Sequence, residues 1–174
     1  AEPPARAETV AGDVRTALGA LDHDRVHLVG YSWGTLVSGT LLATADAPDV
    51  ASYTAFAPVF RPAAERAASF DPGDPPRPAR VVTAAEARER WESQFPAGTD
   101  PAEWREEAAF EAFWTAVHES NQGVDGAAEP SIRAPNGTLV DLQGAVDEAP
   151  YDPAAVDVPT MVVRGSNDPT ATRE

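Results

Sequence analysis

The chain has 174 residues, enough for one domain or one domain with an insert, and it can bury a real core. Its formal net charge is −15 and all 13 basic residues are arginine, a surface that repels phosphate backbones and anionic lipid and so argues against nucleic-acid or membrane-surface partners. The absence of cysteine excludes a disulfide scaffold, thiolate metal sites and a cysteine nucleophile.

No apolar run is long enough to span a bilayer, and Ala1-Glu-Pro-Pro-Ala-Arg6 has neither the basic nor the apolar region of a secretory signal. The expectation is a soluble chain, with the cytoplasm the favoured compartment. Its only methionine is Met161, which suggests processing or truncation upstream.

In chain order, Val10, Val14, Leu18 and Leu21 form the apolar stripe of a helix over residues 7 to 21. A turn at 22 to 25 leads into a short buried strand, Val26 to Val29. There the sequence reads Val-Gly30-Tyr-Ser32-Trp-Gly34-Thr-Leu-Val, a strand that meets a G-x-S-x-G pentad and continues into a helix of small residues to about Ala45. The pentad alone arises by chance about 0.06 times in a chain of this length. Its flanks make it a nucleophile elbow centred on Ser32.

The chemistry asks for that arrangement. A serine hydroxyl attacks carbonyls when lifted onto a tight strand-to-helix turn, where a base can reach it and the next backbone N–H faces the developing oxyanion. Gly30 and Gly34 are read as the residues whose missing side chains let the strained turn pack, and Trp33 as one oxyanion-hole donor through its backbone N–H. The following helix aims its positive end at the same spot. The alternative is a glycine-bounded βα turn with an incidental serine.

Asp46-Ala-Pro-Asp49 breaks the chain, and Val50 to Val59 reads as a second buried strand ending at Ala57-Pro58. Helix, strand, elbow, helix, strand is α/β winding with parallel strands. Phe70 to Ala79 carries four prolines and reads as an extended linker. Thr83-Ala-Ala-Glu86 is a capping box opening a helix that bears Trp91. Asp100-Pro101-Ala-Glu103 is read as the start of a helix bearing Trp104, Phe110, Phe113, Trp114 and Val117. That stripe is most simply a packing face, with a substrate-lining surface as the alternative.

Residues 121 to 150 read as loop-rich, with a Pro135-Asn136-Gly137 turn beginning a hairpin or extended arm. The turn reading is preferred over glycosylation at Asn136-Gly-Thr138. Asp152-Pro153 caps one more helical turn. Val158-Pro-Thr-Met-Val-Val-Arg-Gly-Ser-Asn-Asp168 is a third buried strand with an acid just past its end. No internal repeat and no metal-ligand spacing is present, and no cofactor is expected.

The elbow, the strand containing Ala57-Pro58 and the strand leading to Asp168 together resemble the α/β-hydrolase superfamily, more narrowly its serine esterase and proline-iminopeptidase-like branch with a helical cap. The resemblance implies part of a parallel α/β-hydrolase sheet, with these strands the fifth, sixth and seventh of eight. It places the core at residues 1–59 and 156–174 and a mostly helical cap or lid insertion at 60–155. It implies Ser32 as nucleophile and Asp168 as the acid that orients a catalytic histidine. Asn-Asp-Pro after a strand is also an ordinary turn.

The chain departs from that family at both ends. No His-Gly oxyanion loop lies before the elbow, and no histidine follows Asp168. His23 lies in a surface turn, His27 on the elbow strand is read as structural, and His118 in the insert is read as packed or solvated. The expectation is therefore a fragment of a longer product, with an exposed edge on the elbow strand. It would come from a serine hydrolase that cleaves a carboxylic ester or related acyl bond through an acyl-enzyme and is inactive as this piece. Its substrate would be a small ester, amide or short peptide. The alternatives are a proline-iminopeptidase-like aminopeptidase and a non-catalytic binding protein on the same scaffold.

Overall fold

The computed structural model describes residues 2–121 and 129–171. In chain order the elements are α1 (Ala7–Ala20), β1 (His27–Tyr31), α2 (Gly34–Leu42), β2 (Ser52–Phe56), α3 (Ala64–Ala67), β3 (Ala79–Thr83), α4 (Ala84–Glu92), α5 (Glu107–Asn121), β4 (Ser131–Pro135), α6 (Gly137–Asp147) and β5 (Thr160–Val163). They form two compact units, one of Ala1–Pro78 with Asn136–Glu174 and one of Ala79–Pro135.

The first unit is built on a parallel sheet in the order β1-β2-β5. Gly30 pairs with Ala55 and Ala55 with Val162, so the three carboxyl ends lie at one edge of the sheet. Parallel winding matches the sequence pattern. The second strand stops at Phe56 rather than Val59, because Ala57 turns to φ 47° and Pro58 has no N–H to continue the ladder.

Helix α2 is buried nearly all round, with Leu36 and Leu41 at 0% exposure, which fits its position against the sheet. Full burial of each leucine contributes roughly 1.5–3 kcal/mol. Ala7 and Ala11 of α1, with Val10, Val14 and Leu18 beside them, share this core with Leu139 and Leu142 of α6. Leu21 is not part of the stripe. It caps α1 in an extended conformation and is 48% exposed.

Among the described residues nothing covers the opposite sheet face. Val29, Thr54 and Met161 stand in register across the three strands, and Val29 and Met161 are 65% and 57% exposed. Tyr31 and Phe56 touch on the same face with ring centroids 5.5 Å apart. Strand β1 is an edge of this sheet.

In the second unit β3 and β4 pair antiparallel, Val81 opposite Arg133. The expected capping box is formed at Thr83 and Glu86. Asp100 caps only a 3-10 turn, Pro101–Glu103, and α5 begins at Glu107 rather than continuing from it. Phe110 is 2% exposed, contacts Trp91 at 5.7 Å between centroids and lies under the Arg88 guanidinium at 4.1 Å. Trp104 and Phe113 are each 47% exposed, so the aromatic stripe is only partly a packing face.

The segment expected to be loop-rich contains β4 and α6, while residues 122–128 lie outside the described set. Pro135-Asn136-Gly137 is a strand-to-helix junction in which Asn136 is the N-cap residue of α6. Asn136 is 2% exposed and donates its side-chain amide to the Pro72 carbonyl, which leaves no room for a glycan in the fold.

Candidate active site

Ser32 directly follows β1 and has φ 52°, the left-handed region that costs a non-glycine residue of order 1–3 kcal/mol. Surrounding bonds hold it there. The Ser32 N–H donates to the Phe56 carbonyl at 3.0 Å, which ties the elbow to the neighbouring strand. The Ser32 carbonyl accepts from the Thr35 N–H at 2.9 Å and from Thr35 Oγ1 at 2.6 Å.

Thr35 is fully buried, and its hydroxyl also accepts from the Val59 N–H at 2.9 Å. The side chain therefore clamps the elbow to the segment leaving β2. It also orients a donor. In a trans peptide the N–H points opposite the carbonyl, so drawing the Ser32 oxygen toward the helix turns the Trp33 N–H the other way. Among the described residues neither that N–H nor the Ser32 hydroxyl makes a hydrogen bond.

The two elbow glycines differ. A Cβ on Gly30 would stand 2.9 Å from both the Gly34 carbonyl oxygen and Ser38 Oγ, so the strand and helix meet there only because the side chain is missing. A Cβ on Gly34 would meet nothing within 4 Å. The expected crowding holds at Gly30 and not at Gly34.

Beneath the elbow, Tyr53 is buried and donates to the Thr35 carbonyl at 3.4 Å. Burial, with Tyr151 as a lesser cause, pushes its phenol well above the ordinary range, so it remains a donor at any physiological pH.

Asp168 follows β5 at the same carboxyl edge of the sheet as Ser32. Two interstrand steps of about 4.8 Å separate the strands that carry them. Its Oδ1 accepts from the N–H groups of Thr170 at 2.9 Å and Ala171 at 3.0 Å, so the ordinary turn is formed. Its Oδ2 makes no hydrogen bond among the described residues.

The histidines do not complete a triad. His27 is on the exposed face of β1, with Nδ1 2.7 Å from Ser52 Oγ in the facing register position. His23 is an exposed turn residue, and His118 is on α5 in the second unit, its ring 6.4 Å from that of Trp114. Among the described residues no histidine is hydrogen-bonded to Ser32 or Asp168.

Thr35 and Asp141 were not foreseen. Asp141 accepts from the Trp33 indole Nε1–H at 3.1 Å. The signal for its helix is the spacing of Leu139, Leu142 and Ala145, all buried on one face.

A family model described as alpha/beta hydrolase fold matches residues 2–173. No curated protein and no solved structure matches the chain.

Proposed function

The chain belongs to the α/β-hydrolase fold family, whose members are mostly hydrolases, and from that membership we propose that it carries the nucleophile of a serine hydrolase. The observation that supports this reading most directly is Ser32 at φ 52° with its carbonyl drawn back by Thr35. The arrangement keeps a strained serine where a glycine would sit without cost.

On this reading Ser32 Oγ attacks an acyl carbonyl as a base removes its proton. The Trp33 N–H stabilises the oxyanion of the tetrahedral intermediate, which collapses to an acyl-enzyme as the alcohol leaves with a proton. Water then attacks the acyl carbon and releases the acid. Asp168 is the acid that orients the base, through the carboxylate oxygen left open by its turn. The base is an imidazole that neither His23 nor His27 supplies. The second unit, Ala79–Pro135, falls within the insertion assigned to a cap.

An ester or thioester is the first choice of substrate, and a peptide with an N-terminal proline is the second. A non-catalytic protein on this scaffold is the rival class.

The test is labelling by an alkyl fluorophosphonate, read by peptide mass spectrometry, with imidazole added to stand in for the base. Imidazole-dependent modification at Ser32, absent in Ser32→Ala, is expected. In the same chain p-nitrophenyl acetate is not turned over above the Ser32→Ala control when imidazole is left out. No modification of Ser32 with or without imidazole would overturn the proposal.

A further inference from the structure

The Trp33 indole is held from the far part of the chain. The Asp141 that receives its Nε1–H lies 108 residues away on α6, with a side chain only 11% exposed. Asp141 Oδ1 accepts from Arg6 Nε at 2.6 Å, and its Oδ2 also accepts from the backbone N–H of Ala7, the first residue of α1, at 2.7 Å. Three donors converge on one largely buried carboxylate. The Arg6 bond is charge-assisted on both sides, and such bonds are roughly twice as strong as neutral ones.

A left-handed serine persists only where its surroundings over-determine the backbone. On the Ser32 side the ties are the bonds to Phe56 and Thr35. On the Trp33 side the tie is the side chain, because the ring packs against the core while its N–H is fixed on Asp141. Fixing the ring fixes the swing of the Trp33 Cα, and with it the far end of the Ser32–Trp33 peptide.

We propose that Asp141 is a positioning residue for the elbow, acting through the Trp33 indole to hold the peptide whose N–H faces the reacting carbonyl. The functional meaning rests on that N–H being an oxyanion donor. Asp141 itself touches no reacting atom.

The test is amide hydrogen exchange followed by ¹⁵N NMR on the whole chain. In the unaltered protein the Trp33 indole proton exchanges at least about tenfold more slowly than that of Trp104, whose residue is 47% exposed. Trp33→Phe removes the indole donor together with part of the ring that packs against the core, and Asp141→Asn keeps the size of the acceptor while removing its charge. Each is expected to shift the backbone amides of residues 32 to 34 and to speed their exchange at least about threefold. The double variant does no more than the stronger single one, since both break one link.

An Asp141 that merely braces α1 and α6 predicts faster exchange along those helices with unmoved elbow amides, and that result overturns the proposal. If Asp141→Asn does not fold, unmoved elbow amides in Trp33→Phe or a fast indole proton in the unaltered chain overturns it equally. None of these readouts depends on serine reactivity. A chain that never labels at Ser32 therefore refutes the nucleophile reading alone.

Discussion

The Thr35 hydroxyl oxygen stands 2.6 Å from the Ser32 carbonyl oxygen and 2.9 Å from the Val59 nitrogen, joining the elbow to the exit of β2 through one buried side chain. Valine has nearly the same shape and neither function. Thr35→Val would leave the Val59 N–H without its acceptor and is expected to cost about 1–3 kcal/mol. Urea denaturation measures this as a lower midpoint with unchanged slope. Thr35→Ser should recover most of the loss, because the hydroxyl is the part that matters.

Gly30 and Gly34 should part company on substitution. The Cβ of Gly30→Ala would press on backbone and on Ser38 Oγ at 2.9 Å, so the strand or the helix must shift. Overpacking of this kind costs about 1–3 kcal/mol. Gly34→Ala places its methyl in open space at the start of α2 and should be neutral or stabilising by about 0.4–1 kcal/mol. Equal losses in thermal melts of the two variants would contradict this picture.

Ser32→Gly should stabilise the fold. Glycine adopts φ 52° without the Cβ clash, so the variant is expected to gain about 1 kcal/mol while losing all fluorophosphonate labelling. Ser32→Ala keeps the Cβ and should lose the labelling without the gain. A melting temperature of Ser32→Gly at or below that of Ser32→Ala would show that the turn stores no strain.

Acid should weaken the second unit through Glu107. The Arg88 guanidinium donates to its two carboxylate oxygens at 2.7 and 2.5 Å, and Arg105 donates at 2.6 Å. These bonds hold its pKa at about 2 against an ordinary 4.5. A folded-state pKa below the unfolded one stabilises above the unfolded value, so the contribution is complete above pH 4.5 and fades as the pH falls toward 2. Tryptophan fluorescence across that window should show a shallower loss of stability in Glu107→Gln than in the unaltered chain. The difference should shrink in high salt, because Glu107 is 53% exposed.

The elbow was legible in the sequence because its determinants are neighbours. A β run, two glycines, a serine and a small-residue helix lie within residues 26 to 42 and each carries a local preference. Helix α6 was hidden because its N-cap, Asn136, sits in a Pro-Asn-Gly string that also spells a turn. Likewise Asp100-Pro101 marks where a helical turn begins and says nothing of how far it runs. Thr35 and Asp141 were invisible as site residues for a different reason. Their partners Val59 and Trp33 are 24 and 108 residues away, and only the folded chain brings them together.

The same separations bear on how the site comes into being. A peptide spanning the elbow alone would contain Ser32 and Thr35 but none of the longer braces. The bond to Phe56 needs β2 in register, and the bond from Trp33 needs α6 docked after most of the chain has been passed. Closing such loops is an entropic cost met before the contact is formed, so contacts of this range slow folding. The geometry at Ser32 is therefore a product of topology, and a chain that has not yet made these distant contacts would hold a relaxed turn there.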